Sequence, residues 1–186
     1  YRHVDTARFY ENEAAVGDGI TAADVPREEV FLASKLHPMA EGLAHDEVYD
    51  GIEESLSLLG VDALDLVYVH WPVGNYDAAE TLSAFDDLVD DGLARHVGVS
   101  NFDIELLDEA TDALDAPLFV NQVERHPMLP RDDLVAHARE HDYYLVAYSP
   151  LARGETPCFS ATASTAGRSS ASPAQACLAW VTHPEH

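Results

Sequence analysis

The chain has 186 residues, 47% of them hydrophobic, enough for one domain with a sizeable core and too apolar for a disordered tail. Asp and Glu number 34 against 10 Lys plus Arg, a formal charge of -24, which argues against nucleic acid or an anionic membrane as a partner. No apolar run reaches the length of a membrane span, and no signal peptide opens the chain. Self-repulsion of this size weakens a fold at low ionic strength, but at molar salt the Debye length falls to about 3 Å. A salt-adapted cytoplasm, as in halophilic microbes, therefore accounts for the charge. The acids are spread over nearly every predicted helix, which argues against the alternative of one acidic docking face. Cys158 and Cys177 form no metal or disulfide pattern and are expected to be reduced.

The first strand is predicted over 3–7, His3 to Ala7. The chain opens at Tyr1, not Met, directly into this strand, so the N-terminus is expected to be truncated. Further strands are predicted over 30–36, 64–70, 94–100, 118–123 and 143–148. Runs such as Leu66-Val67-Tyr68-Val69 do not alternate and read as strands buried on both faces. Between strands, Val48, Ile52, Leu56 and Leu59 share a helical face. Leu82, Phe85, Leu88 and Val89 repeat the pattern, with Gly92 as the stop. Leu134, Val135 and Ala138 follow Arg131-Asp132-Asp133. From Thr156 to Pro184 there is no Asp or Glu, and 155–171 is an atypical Ser/Ala/Thr-rich segment without clear periodicity. It reads as a flexible loop or as sequence altered by a local frameshift. Ser172-Pro173 then opens a last helix with an N-cap and a proline at the first position.

Six β/α units in series imply a parallel α/β fold with right-handed crossovers. A doubly wound nucleotide fold places a Gly-rich turn after its first strand, whereas Arg8-Phe9-Tyr10-Glu11-Asn12 stands there. Polar residues instead close nearly every strand: Asp5, Lys35, His70, Ser100 with Asn101, Gln122 with Glu124, Tyr148 with Ser149. A (β/α)8 TIM barrel carries its active site at that end. The chain is thus expected to be a single partial barrel domain over 1–186, with six of eight units, short of the roughly 250 residues of a full barrel. Strands 3–7 and 143–148 would be open edges, which favour self-association.

Lys35 is the only lysine. A surviving ammonium beside a buried strand needs a partner, and Asp5 closes another strand at the same mouth. An ion pair there keeps Lys35 charged. Tyr10 follows five residues after Asp5. A neighbouring ammonium lowers a phenol's pKa from near 10, making it a usable proton donor. His70, before Trp71-Pro72, is placed to orient a carbonyl. Each residue also has a structural alternative: Lys35 snorkelling to solvent, Tyr10 packing a loop, His70 satisfied in the core. Together they form a carbonyl-reducing set, and the hydride must come from a cofactor because no side chain supplies one.

Tyr1-Arg2-His3-Val4-Asp5-Thr6-Ala7 with Tyr10 and Asn12-Glu13 resembles the signature of the aldo-keto reductases. Ser34-Lys35-Leu36, Val69-His70-Trp71-Pro72, Val97-Gly98-Val99-Ser100-Asn101-Phe102, Asn121-Gln122-Val123-Glu124 with His126-Pro127, and Ala147-Tyr148-Ser149-Pro150-Leu151 resemble its later strands in order. The resemblance implies an NADP(H) cofactor, with NAD(H) open, and a small carbonyl or alcohol substrate. It implies Tyr10 as general acid, Lys35 and Asp5 as the pair lowering its pKa, and His70 orienting substrate. It also implies Ser100, Asn101 and Gln122 on the nicotinamide carboxamide, Tyr148 beneath the ring, Ser149 and Leu151 beside the pyrophosphate, and Trp71 lining the substrate pocket. The family's opening hairpin, first strand and first helix are not seen before Tyr1, nor its last strand and basic adenosine-phosphate motif after His186. Two rival readings stand beside this one. A metal-dependent hydrolase on the same barrel would use His3, Asp5, Lys35, His70 and His126, but leaves Tyr10 without a role. A catalytically inactive fragment or cofactor-binding subunit would share the fold.

Overall fold

The computed structural model describes residues 1–155 and 160–183. The chain divides into two compact units, Tyr1–Val120 and Asn121–His186. In the first, strands β1 (His3–Asp5), β2 (Phe31–Leu36), β3 (Leu66–Val69) and β4 (Val97–Ser100) alternate with helices α1 (Glu13–Ala22), α2 (His45–Leu59), α3 (Ala78–Asp90) and α4 (Ile104–Ala113). Neighbouring strands run parallel, with Asp5 beside Ala33, Lys35 beside Tyr68 and Tyr68 beside Gly98. Strand β5 (Leu118–Glu124) crosses into the second unit, which continues with α5 (Asp132–His141), β6 (Tyr144–Tyr148), α6 (Ser160–Ser169) and α7 (Pro173–Val181). The strand order is β1-β2-β3-β4-β5-β6. Strand–helix alternation in that order is an incomplete (β/α)8 barrel, as the sequence predicts. Pairing starts two to three residues inside the expected ends of β3 and β4, although Leu64 and Ala94 still form a parallel bridge.

Local chemistry fixes the ends of these elements. Asp77 and Asp103 cap α3 and α4, their carboxylates accepting the Glu80 and Leu106 N–H groups at 3.0 Å. Each such cap contributes about 1 kcal/mol. Gly92 takes the left-handed conformation (φ 74°) past α3, and the Leu93 N–H donates back to the Leu88 carbonyl at 2.9 Å. That is the predicted glycine stop.

Alternation along β2 sorts its side chains between two faces. Leu32, Ser34 and Leu36 face the helices, where Ser34 and Ser55 of α2 both donate to the Glu13 carboxylate of α1. Phe31, Ala33 and Lys35 share the other face. At its lower end Phe31 joins a ring cluster with His96 and Phe119, whose centroids are 4.1 Å apart and nearly parallel. Higher up, Tyr68 is fully buried against Gly98. A β-carbon on Gly98 would lie 2.6 Å from Val120 Cγ1 and 2.9 Å from the Tyr68 ring. Gly98→Ala is therefore expected to cost about 1–3 kcal/mol by overpacking, read as a lower urea midpoint in a denaturation curve.

A polar knot ties the strand starts together. Asp65, 3% exposed just before β3, accepts the Leu32 N–H at 2.9 Å and Arg27 at 3.0 Å on one oxygen. Its other oxygen accepts Arg95 at 2.6 Å.

The second unit departs from the sequence expectation in one place. Ser160–Ser169, read as loop, is helical and packs against α7. Its alanines have the highest helix propensity, while Ser and Thr supply no apolar stripe, so periodicity is silent there. Residues 156–159, with Cys158, lie outside the described residues. Helix α7 opens as predicted: Ser172 Oγ accepts the Gln175 N–H at 3.2 Å, with Pro173 at the first position. Cys177 is buried and not in a disulfide. Among the described residues no helix is long and apolar enough to cross a membrane.

Candidate active site

The first unit gathers four of the predicted residues at the C-terminal ends of β1 to β3. Lys35 is 1% exposed, so its ammonium has lost most of its water. It donates to the Asp5 carboxylate, and to the Thr6 carbonyl at 3.0 Å. Two rings complete its surroundings, with centroids 5.6 Å (Tyr10) and 5.4 Å (Tyr68) from Nζ. Burial lowers the Lys35 pKa, while the charge and hydrogen bond of Asp5 pull the other way. The contact with Asp5 is the one the sequence leads one to expect.

Tyr10 ends a short 3-10 turn, Arg8–Tyr10, and is half exposed. Arg8 braces that turn by ion pairs to Glu13 at 3.2 Å and to Glu54. Thr6 Oγ1 donates to Asn12 Oδ1 at 2.8 Å, closing the segment that follows β1. The Tyr10 ring meets His70 edge-on, with centroids 5.6 Å apart.

His70 is buried, and its Nδ1 has no hydrogen-bond partner among the described residues. Burial first, then the charge of Lys35, depresses its pKa to about 4. The imidazole is therefore neutral at neutral pH. Asn101, in the left-handed region (φ 67°), donates from Nδ2 to the His70 carbonyl and to Ser100 Oγ, both at 3.0 Å. Ser100 and Asn101 are thus tied to the strand end that carries His70. Trp71 and Phe9 remain 40% and 51% exposed nearby in sequence. His3 packs edge-on against Phe31 at 4.9 Å, two pleats below Lys35.

Sequence reasoning missed His37. It stands two residues after Lys35, so the pleat puts it on the same face, one step further out. Its ring lies 5.2 Å from that of His70 and 4.5 Å from that of Phe9. The i+2 spacing from Lys35 was the available signal.

In the second unit, Gln122 is buried on β5 and Tyr148, at the end of β6, is partly buried. Burial and the nearby Glu124 raise the Tyr148 phenol. Its carbonyl accepts the Arg125 N–H at 3.3 Å. Ser149 (φ 48°), Ala152, Arg153 and Gly154 all have positive φ, and Ala152 and Gly154 bond back to the Ser149 and Leu151 carbonyls. The segment after β6 is thus a tight, internally bonded turn.

A family model described as the aldo/keto reductase family matches residues 1–185. The chain is 37% identical over 183 residues to methylglyoxal reductase DkgB of Escherichia coli O157:H7, covering 97% of this chain and 68% of that protein. Among solved structures, it resembles an aldo-keto reductase from a Medee basin deep-sea metagenome library, with a TM-score of 0.93 and 32% identity over 100% of this chain and 68% of the other. It also resembles a Bombyx mori aldo-keto reductase in complex with NADP, with a TM-score of 0.87 and 33% identity over 96% of this chain and 64% of the other.

Proposed function

Because the chain belongs to the aldo/keto reductase family, we propose that it is an oxidoreductase of small aldehydes and ketones working with a bound nicotinamide, NADP(H) before NAD(H). The observation that carries this reading is the buried Lys35, paired with Asp5 and lying beneath the Tyr10 ring. A cation at that spot favours loss of the phenolic proton, so Tyr10 serves as general acid toward a carbonyl oxygen. His70 stays neutral and orients the carbonyl. An unprotonated nitrogen tolerates burial without a partner better than an N–H does, so the partnerless Nδ1 leaves the proton on Nε2 as a donor. Trp71 lines the substrate pocket.

The residues present fit a nicotinamide in kind: Ser100 is buried at the end of β4 with Asn101 bonded to it, and Gln122 is buried on β5. These three would hold the carboxamide, Tyr148 would lie against the ring, and Ser149 and Leu151 would take the pyrophosphate side. When bound, the cofactor supplies the hydride. The same reading treats residues 1–186 as one partial barrel domain, with 155–171 as its atypical segment. It places the protein in a salt-rich cytoplasm.

The test is NADPH consumption with a reactive aromatic aldehyde in molar KCl, alongside Tyr10→Phe. Turnover should fall by about 10²–10⁴ in the variant, with unchanged circular dichroism. Cofactor binding by a folded chain that turns over with neither NADPH nor NADH would sink the reading and point to a binding subunit. Tightly held zinc after purification without chelators would favour the hydrolase instead.

A further inference from the structure

His37 is held more firmly than a pocket lining needs. Its carbonyl accepts the Ala40 N–H at 2.9 Å and the Glu41 N–H at 3.3 Å. Its own N–H donates to the Glu41 carboxylate. Burial raises that carboxyl to about 7. The side chain is fixed as well. The Met39 backbone N–H donates to His37 Nδ1 at 3.1 Å. An amide N–H can only donate, so Nδ1 is the bare acceptor and the ring proton sits on Nε2. Burial lowers the His37 pKa, which keeps the ring neutral. The result is a single N–H of fixed tautomer on a residue only 7% exposed, its ring 5.2 Å from that of His70. Among the described residues, nothing accepts from that N–H.

A fixed donor that no protein group uses, and that solvent still reaches, is placed to meet a ligand entering beside His70. Resting on the reductase reading, we propose that His37 is a substrate-positioning donor whose Nε2–H binds a second oxygen of the substrate, on the carbon next to the reacting carbonyl. Tyr10 and His70 serve the reacting oxygen, and His37 stands beside His70 with its ring perpendicular. The site thereby favours α-hydroxy and α-oxo aldehydes and ketones over plain ones. A site built to bond a substrate hydroxyl discriminates against the analogue that lacks it, because the donor is then left unpaired.

Glycolaldehyde and propanal differ by one hydroxyl in place of a methyl and make the test. His37→Phe keeps an aromatic ring against Phe9 and His70 while deleting the donor. It should lower kcat/KM for glycolaldehyde about tenfold, mainly through KM, which is one neutral hydrogen bond of about 1.4 kcal/mol. For propanal the loss should be several-fold smaller, so that the glycolaldehyde-to-propanal ratio of kcat/KM falls. His37→Gln, with an amide donor, should recover part of the loss for glycolaldehyde only. Equal losses for both aldehydes, or none, would overturn the proposal. A second readout is independent of turnover: imidazole nitrogen NMR with oxidised cofactor present. His37 should show the Nε2–H tautomer, and that proton should shift with hydroxyacetone and not with butanone. A Nδ1–H tautomer, or no shift, also overturns the proposal. Undiminished turnover in Tyr10→Phe would instead strike at the reductase reading and leave the spectrum to decide on His37.

Discussion

Lys35→Met should lose turnover by about 10²–10⁴ while melting within a few degrees of the parent. The two halves of this expectation have separate origins. The ammonium is almost wholly buried, and burial is the largest influence on it, lowering its pKa. Asp5 is 31% exposed and can be rehydrated when its partner is removed. Replacing a desolvated cation by an apolar side chain of similar length is often close to neutral for stability. Met also keeps contact with the Tyr10 and Tyr68 rings, so the pocket should not collapse. What disappears is the positive charge beside the Tyr10 phenol, and with it the means of giving up a proton at moderate pH. The sign of the pH effect follows. A lysine whose folded pKa lies below its ordinary 10.5 sheds its proton early. Parent turnover should therefore decline on the alkaline side before pH 10.5, and Lys35→Met should lack that limb. The depressed His70, near 4, predicts no break around pH 6.5. Rates of NADPH oxidation from pH 5 to 10, paired with thermal melts, test both halves. A Lys35→Met enzyme with a tenth or more of parent turnover would show that Tyr10 does not depend on this charge.

How far the sequence reveals this site depends on the rarity of each residue. Lys35 was conspicuous because a chain with 34 acids keeps only one lysine, and its strand is apolar on both sides. Asp5 was legible only by position, at the end of a neighbouring strand, and it is indeed in contact with Lys35. The strands themselves stood out as unbroken apolar runs, which is what burial on both faces of a parallel sheet demands. His37 was passed over because it follows the last apolar residue of β2, where a histidine reads as loop. The turn Pro38–Glu41 that fixes it is built from backbone bonds and one carboxylate, and neither leaves a mark in residue spacing. Asp65 was hidden for the opposite reason. It is one acid among many, and its burial under two arginines from distant segments cannot be read from a local pattern. The helix Ser160–Ser169 shows a third kind of silence. Small residues can form a helix without displaying an apolar face.

Asp65→Ala should be the most destabilising of the changes considered, by about 3–5 kcal/mol. The carboxylate is 5% exposed and satisfies three donors, the Leu32 N–H, Arg27 and Arg95. Truncation leaves each in a different position. Arg95, 67% exposed, can turn to water, and Arg27, 32% exposed, can do so in part. The Leu32 N–H cannot, because Leu32 is fully buried on β2, and an unpaired buried donor carries its whole desolvation cost. Asp65→Asn retains an acceptor oxygen for Leu32 while losing the charge that pairs the arginines. It should therefore fall between parent and alanine, and more salt should narrow its gap to the parent because screening weakens the arginine attractions that only the parent has. Against a typical domain stability of 5–15 kcal/mol, the alanine loss is large enough to unfold much of the protein at low salt. The knot lies where β3 begins, whereas Lys35 and His70 lie where β2 and β3 end. Folded Asp65→Ala in molar KCl should thus keep its kcat while its urea midpoint drops. A midpoint unchanged from the parent would mean that water replaces the carboxylate at the Leu32 N–H. A lower kcat at full folding would mean that the strand starts and the candidate site are mechanically coupled along β3.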